Sequence, residues 1–202
     1  MIKGWYYNKQ NGHRLLSVEE IATAYCIAGN KVKGWFTGSS TTPTQDDDLL
    51  LDAGDVISLL VQSSIPVSSS LLPPNTRKIL FIASDEYVFQ NCGETFDRIC
   101  RFFVETCNIL VETAFAGRFA DLSVFTFSPD IVVFFLKTYD QAAVNTLHLL
   151  SCLPEPKTIL LVDSILKIAI EEGLVGLPAD LVVCEALPKE QLIAELRSSF
   201  RS

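Results

Sequence analysis

The stretch Pro129-Asp130-Ile131-Val132-Val133-Phe134-Phe135-Leu136 decides the fold of this chain. After Asp130 it is apolar without interruption, and it consists mainly of β-branched and aromatic residues, which favour strands. A strand is apolar on both faces where both faces of its sheet are covered, as in parallel α/β sheets. The stretch therefore predicts a buried strand over Asp130–Leu136, with helices on both sides of its sheet.

Four similar apolar runs surround this strand in the sequence. They predict strands over Lys78–Ala83, Asn108–Glu112, Thr158–Val162 and Asp180–Cys184. The intervening segments are longer and amphipathic, and predict helices near residues 86–106, 116–126, 139–151, 164–173 and 188–200. Regular alternation of strand and helix favours a parallel sheet with right-handed crossovers. We predict an α/β fold, with a flavodoxin-like (βα)5 domain over residues 77–202.

The segment before this domain, residues 63–77, is rich in Ser and Pro and cannot sustain a helix or a central strand. We predict a linker over residues 64–76 and a separate domain over residues 1–63. In that domain Asn11-Gly12 is a strong turn signal, so residues 4–15 are predicted to form a β-hairpin.

Three short helices are predicted in the N-terminal domain. The first covers Leu16–Tyr25, with Ser17 as its cap and Glu20 three residues later, as in a capping box. The second covers about residues 30–37 and the third Asp52–Ser63. This is the spacing of a helix-turn-helix with room for a wing.

Residues 77–202 resemble the receiver domains of response regulators. In that family the first strand ends in acids that hold Mg²⁺, and the matching residues here are Ala83 and Ser84, followed by Asp85. The family's third strand ends in the phosphoacceptor Asp, and Phe135 stands at that position. The Ser or Thr that follows the family's fourth strand matches Ser164, and the Lys that follows its fifth strand matches Glu185.

The resemblance thus implies a receiver domain without its nucleophile, its metal acids or its cation. Removing these groups takes away both the covalent chemistry and the charge stabilisation, so we expect a pseudo-receiver, not an enzyme. A second interpretation is that Asp85, Glu86 and Asp163 form a displaced site for a cation or small molecule at the carboxyl edge of the sheet. The alternative for these acids is a role as solvated loop residues or helix caps.

Known cofactor and metal motifs are not found in the sequence. There is no GxGxxG after the first predicted strand and no GxxxxGK[ST]. The six cysteines contain no CxxC pair, and with only two histidines they do not form a zinc-ligand pattern. We expect no cofactor and no metal, and interpret the cysteines as reduced residues of a cytoplasmic protein.

Residues 15–62 resemble the excisionase/MerR helix-turn-helix family, through Leu16–Ala22, residues 27–35 and the helix near 52–60. In that family the second helix enters the major groove. The resemblance implies DNA contacts from Asn30, Lys31 and Lys33, and places Val32 and Trp35 inside. Arg14 is a further candidate cation for this surface.

Charge gives this interpretation limited support. The whole chain has a net charge of −8 and a pI near 4.7, so any contact with DNA must be local. Residues 1–38 carry five Lys or Arg and two acids, a net charge of +3. Asp46, Asp47 and Asp48, at the wing position, would repel phosphate if they faced it.

Three functions remain open. The first is a regulator that combines a DNA-binding module with a phosphorylation-independent receiver-like module, acting as a homodimer because its cations are few. The second is a scaffold or localisation adaptor, in which both modules bind proteins. The third is a small-molecule sensor that uses the carboxyl edge of the sheet. No membrane segment is expected.

Overall fold

The computed structural model describes residues 3–7, 14–36, 50–137 and 139–200. The chain divides into two compact units. The smaller is Tyr7–Thr76, and the larger is Arg77–Ser202 together with Met1–Tyr6.

The elements of both units are numbered together in chain order. The strands are β1 (Lys3–Tyr6), β2 (Leu15–Ser17), β3 (Leu50–Asp52), β4 (Thr76–Ala83), β5 (Asn108–Phe115), β6 (Ile131–Leu136), β7 (Lys157–Val162) and β8 (Leu181–Cys184). The α-helices are α1 (Val18–Ala24), α2 (Gly29–Phe36), α3 (Ala53–Gln62), α4 (Glu86–Asn91), α5 (Gly93–Val104), α6 (Arg118–Phe127), α7 (Gln141–Ser151), α8 (Ser164–Glu171) and α9 (Lys189–Phe200). A 3-10 helix covers Ser69–Leu71.

The larger unit is built on a six-stranded sheet with the order β1-β5-β4-β6-β7-β8. β6 runs parallel to β4 and to β7, and β7 runs parallel to β8. The order of the last five strands, with helices between them, is that of a flavodoxin-like α/β fold. The prediction of this fold class is therefore confirmed.

Alternate residues of β6 enter two separate hydrophobic cores. Ile131, Val133 and Phe135 belong to the core that contains residues of α5 and α9. Val132, Phe134 and Leu136 belong to the core that contains residues of α6 and α7. All six β6 residues are buried, which is why this strand has no polar side chain.

The five predicted strands all occur, with shifted ends. β5 continues to Phe115, three residues beyond the prediction, and the helix predicted near 86–106 is divided into α4 and α5. The division falls at Cys92, whose backbone lies between the two helices. Hydrophobic periodicity continues through this break, so the sequence pattern does not show it.

The predicted hairpin over residues 4–15 is wrong in its pairing. β1 lies antiparallel to β5, with Trp5 opposite Leu110 and Tyr6 opposite Ile109. Tyr6 packs against the core formed with α5, so burial in the larger unit decides the partner of this strand. Asn11 and Gly12 lie outside the described residues.

Because β1 pairs within the larger unit, the smaller unit is inserted in the chain between β1 and β4, and β1 does not belong to it.

The smaller unit contains the three helices predicted for it and a two-stranded antiparallel sheet of β2 and β3. Ser17 and Glu20 form the predicted capping box at the start of α1. The predicted linker, residues 64–76, is instead part of this unit: Leu71 is buried in its core, and Ile65 and Val67 pack against it. Apart from the 3-10 helix at Ser69–Leu71 and the first residue of β4, this segment has no regular element, but its apolar side chains pack in the core.

Candidate functional site

The carboxyl edge of the large sheet brings together the positions that the receiver resemblance singles out. Ala83, at the end of β4, lies opposite Phe135 of β6. Leu136 lies opposite Val162, and Val162 lies opposite Cys184. The residues that directly follow these strands therefore meet at one edge: Ser84 and Asp85, Lys137, Asp163, and Glu185.

Phe135, at the predicted phosphoacceptor position, is a core residue. Its exposed fraction is 3%, and its ring lies 6.0 Å from that of Phe81, centroid to centroid. Its carbonyl oxygen accepts a hydrogen bond from the Ser84 N–H at 3.1 Å. This position closes the sheet edge with an apolar side chain and presents no nucleophile.

The acids at this edge cap helices. A carboxylate oxygen of Asp85 accepts a hydrogen bond from the Val88 N–H at 2.8 Å, in the first turn of α4. A carboxylate oxygen of Asp163 does the same for the Leu166 N–H of α8 at 2.7 Å. Each thereby satisfies a helix N–H that has no partner within the helix. The structure thus supports capping for both acids; the side chain of Glu86 lies outside what it describes.

Ser164, the candidate hydroxyl, is the first residue of α8 and is exposed. Among the residues that the structure describes, no group of three or more His, Cys, Asp or Glu side chains is arranged to hold a metal ion.

Lys137 and Glu185 form an ion pair across the edge, with Nζ and Oε1 3.6 Å apart. About a third of the Lys137 side chain and a quarter of the Glu185 side chain remain exposed. The receiver family, as described above, has an acid at the third strand and Lys after the fifth. Here Phe135 stands at the acid position, Lys137 follows it by two residues after the end of β6, and an acid, Glu185, stands at the Lys position.

Lys137 is not among the site residues predicted from the sequence. Two signals could have found it: it directly follows the apolar run of β6, and its charge is opposite to that of Glu185, which directly follows β8. Parallel strands place both residues at the same edge.

Cys92 lies near this pair and is buried, with an exposed fraction of 5%. Burial raises the pKa of its thiol to about 11; the negative charge of Glu185 acts in the same direction, and Lys137 opposes it. A thiol in this state is protonated at neutral pH and is a poor nucleophile and metal ligand. Its role here is apolar packing.

The second candidate surface is α2 of the smaller unit. Asn30 and Lys31 are exposed, whereas Val32 and Phe36 are buried. Lys33 is half-buried on the same helix. The structure thus brings three of the four predicted DNA-contact residues together on one helix, and two of them are exposed.

The inner side of α2 is held by aromatic residues. Trp35 meets Tyr25 edge to face, with ring centroids 5.6 Å apart. The Tyr25 hydroxyl donates to the carbonyl oxygen of Pro66 at 2.7 Å. Trp35 of α2 therefore packs against Tyr25 at the end of α1, in agreement with its expected inward position.

Arg14, the fourth predicted contact, binds within the smaller unit. Its Nη1 donates to the carbonyl oxygen of Leu72 at 2.8 Å, and its Nη2 lies 3.6 Å from Glu20 Oε1. The pKa of the Glu20 carboxyl is lowered, first by the Ser17 backbone N–H and further by Arg14. Arg14 thus links the start of α1 to the segment around Leu72.

No family model matches the sequence, and no curated protein matches it. Among solved structures, the chain is similar to the receiver domain of the Francisella response regulator 1452, at 18% identity and a TM-score of 0.42 over 62% of this chain and 97% of that one. It is also similar to the receiver domain of a putative Luxo repressor protein from Vibrio parahaemolyticus, at 12% identity and a TM-score of 0.43 over 62% and 91%. A third is the BeF3-activated receiver domain of Klebsiella pneumoniae RstA, at 18% identity and a TM-score of 0.40 over 62% and 99%. Function has to be judged from the site itself at such identities.

Proposed function

We propose that this chain is a non-enzymatic regulatory protein. Its larger unit acts through protein contacts without phosphorylation, and its smaller unit binds DNA through α2. The observation that carries the first part is the ion pair between Lys137 and Glu185 beside the buried Phe135. The observation that carries the second part is the exposure of Asn30 and Lys31 on a helix whose opposite side is buried.

Phosphoryl transfer to a protein needs a nucleophile and positive charge at the transferred group. At this edge the acceptor position is an apolar core residue, and Lys137 is already neutralised by Glu185. Asp85, the acid nearest the end of β4, is directed at a helix N–H. The acid and the cation nearest the acceptor position are thus engaged in holding the edge together.

DNA binding through α2 would be weak for a single copy. Lys31 and Lys33 are the cations of this helix, and each phosphate contact contributes a modest, salt-dependent term. Asp46–Asp48, which the sequence places near a wing, lie outside the described residues. A homodimer would double the number of cations and present two α2 helices to one duplex. We therefore include self-association in the proposal, in a protein located in the cytoplasm.

The test is a salt titration of fluorescence anisotropy with random-sequence duplex DNA. The wild type is expected to bind at low salt and to lose affinity as salt rises, whereas Lys31→Glu/Lys33→Glu should not bind. Arg101→Glu/Lys189→Glu is the matched control, because it reverses the charge of two exposed cations of the larger unit. Equal loss of binding in the control would show a general charge effect, and no binding by the wild type at low salt would contradict the DNA proposal.

A second candidate function is an adaptor that binds proteins through both units. Exposed apolar pairs on each unit favour it. On the smaller unit Leu15 and Leu50 lie on the outer face of β2 and β3, each more than half exposed. On the larger unit Leu122 and Phe125 lie one turn apart on the outer face of α6, with exposed fractions of 61% and 60%. An adaptor would show no salt-sensitive DNA binding. A protein partner that is co-purified with the wild type should no longer be co-purified with Leu122→Glu/Phe125→Glu.

A further inference from the structure

Residues 64–76 lead from α3 into β4, and we call this segment the strap. Leu71 of the strap is buried in the core of the smaller unit, and Ile65 and Val67 pack against the same core. The 3-10 helix of the strap contacts α1. At the far end of the strap, the Leu72 carbonyl oxygen accepts the hydrogen bond from Arg14 described above. The strap is thus held against the smaller unit at several points.

The hydroxyl group of Tyr25, the residue that ends α1, binds the strap. It donates a hydrogen bond to the carbonyl oxygen of Pro66 at 2.7 Å. It also accepts a hydrogen bond from the Ser68 N–H at 3.4 Å. Burial raises the pKa of this phenol, while the Ser68 N–H acts in the opposite direction. The hydroxyl therefore keeps its proton at neutral pH and remains a donor.

The ring of the same residue contacts α2, through its edge-to-face pair with Trp35. Such aromatic pairs stabilise a contact beyond the area that they bury. Trp35 follows Lys31 by one helical turn, so the two residues lie on adjoining parts of the helix surface. Tyr25 thus contacts the strap through its hydroxyl group and the candidate DNA-binding helix through its ring.

We infer that the strap sets the orientation of α2, and that Tyr25 is the positioning residue that connects them. α2 is short and buries two of its own residues, Val32 and Phe36, so contacts with Trp35 add substantially to what holds it. The inference rests on the proposed function for the purpose of this orientation, which is to present Lys31 to DNA. A binding element that is already held in its bound orientation loses less freedom on binding and therefore binds more tightly.

Two variants weaken this connection from its two sides. Tyr25→Phe removes the hydroxyl group and keeps the ring against Trp35. Val67→Ala removes apolar contacts of the strap and leaves Tyr25 in place. The matched control is Tyr7→Phe, which removes the hydroxyl group of another half-buried tyrosine of the smaller unit, whose ring lies against Gly54 of α3. Circular dichroism checks that all three variants remain folded.

Hydrogen exchange of the full chain, resolved by residue, measures the orientation of α2 without DNA. Exchange in residues 30–36 should become faster by about threefold or more in both strap variants, because α2 opens more often when it loses this support. Exchange in β2 and β3 should stay as in the wild type, which separates a loosened α2 from a general loss of stability. Tyr7→Phe should leave exchange in α2 unchanged.

DNA binding of the same samples is measured by the salt titration described above. Tyr25→Phe should raise the dissociation constant by about threefold at each salt concentration, because fewer molecules hold α2 in the binding orientation. The slope of the logarithm of affinity against that of salt should equal the wild-type slope, since the bound state keeps both lysines at phosphates. Lys31→Ala removes a phosphate contact and should make this slope shallower.

Wild-type exchange in α2 of both strap variants would overturn the inference. A shallower salt slope in Tyr25→Phe would also overturn it, because Tyr25 would then act at the contact surface. A wild type that binds no DNA contradicts the DNA proposal alone. In that case, faster exchange in α2 of the two strap variants and not of Tyr7→Phe still supports the inference.

Discussion

At the scale of single residues, the acids and the cation at the carboxyl edge stabilise the fold. Asp85 and Asp163 satisfy helix N–H groups, and Lys137 neutralises Glu185. These interactions are local, and each can be removed by one substitution.

The ion pair between Lys137 and Glu185 predicts a specific pattern of stability. Both side chains are partly exposed, so we expect a coupling free energy of about 0.5 kcal/mol between Lys137 and Glu185. Lys137→Glu and Glu185→Lys should each destabilise the protein, because each leaves two like charges near one another. The double exchange should recover most of the loss. Urea unfolding of the four proteins measures the coupling, and a double variant no more stable than the single ones would contradict it.

Buried thiol and phenol groups predict a loss of stability at high pH. Burial raises the pKa of Cys92 from 9.0 to about 11 and that of Cys100 to about 12. Burial likewise raises the pKa of Tyr6, whose side chain is hydrogen-bonded to that of Cys100, to about 12. The folded state holds these protons more tightly than the unfolded chain does. The stabilisation is therefore complete below pH 9 and is lost as the pH rises from about 9 to 12.

Urea unfolding between pH 8 and 10.5 tests this dependence. Cys100→Ala should reduce the slope of the free energy of unfolding against pH. Cys152→Ala, at an exposed position, is the control for the loss of a thiol. An unchanged slope in Cys100→Ala would show that this thiol does not contribute.

At the scale of elements, the pairing of the N-terminal strand β1 differs most from the prediction. Its sequence, with Asn11-Gly12 close behind, predicts a local hairpin, but β1 pairs with β5, which lies about a hundred residues away in the chain. Turn signals describe a few residues, whereas the partner of a strand is decided by what it can bury.

A chain that begins at residue 7 should therefore lose stability in the larger unit. Without β1, one edge of β5 loses its hydrogen-bond partner, and the Tyr6 ring leaves the core. Hydrogen exchange should become faster in residues 108–112, while β2 and β3 of the smaller unit keep their protection. Faster exchange in β2 instead of β5 would restore the hairpin interpretation.

Elements of uniform composition could be predicted from the sequence, and those set by distant contacts could not. β6 is apolar throughout, and α1 carries its own capping box, so both were recognised close to their observed ends. Cys92 at the break between α4 and α5 gives no local signal. In the site, the apolar residue Phe135 and the acid Glu185 could be read directly from the sequence, but the pairing of Lys137 with Glu185 depends on two strands that are separated by β7.

At the scale of the whole molecule, the smaller unit is an insertion between two strands of one sheet. β1 and β4 are separated in the sheet only by β5, so their spacing is about 10 Å, two strand separations. The sheet therefore does not need residues 7–75 to bring these strands together.

Replacing residues 7–75 by a flexible Gly/Ser linker of about ten residues should leave a folded larger unit, since such a linker spans about 10 Å easily. Circular dichroism and a cooperative thermal transition measure folding. The protein with the linker should keep β1 protected from hydrogen exchange. Loss of the cooperative transition would show that the smaller unit is required for the sheet.

The central claim is that the carboxyl edge of the sheet does not accept a phosphoryl group. The most direct test is the intact mass of the protein after incubation with acetyl phosphate and Mg²⁺, with a phosphorylatable receiver domain treated in parallel. Phe135 in the core and Lys137 paired with Glu185 predict no added mass in this chain while the other domain is modified. An increase by the mass of one phosphoryl group, located to a residue of this edge, would contradict the account.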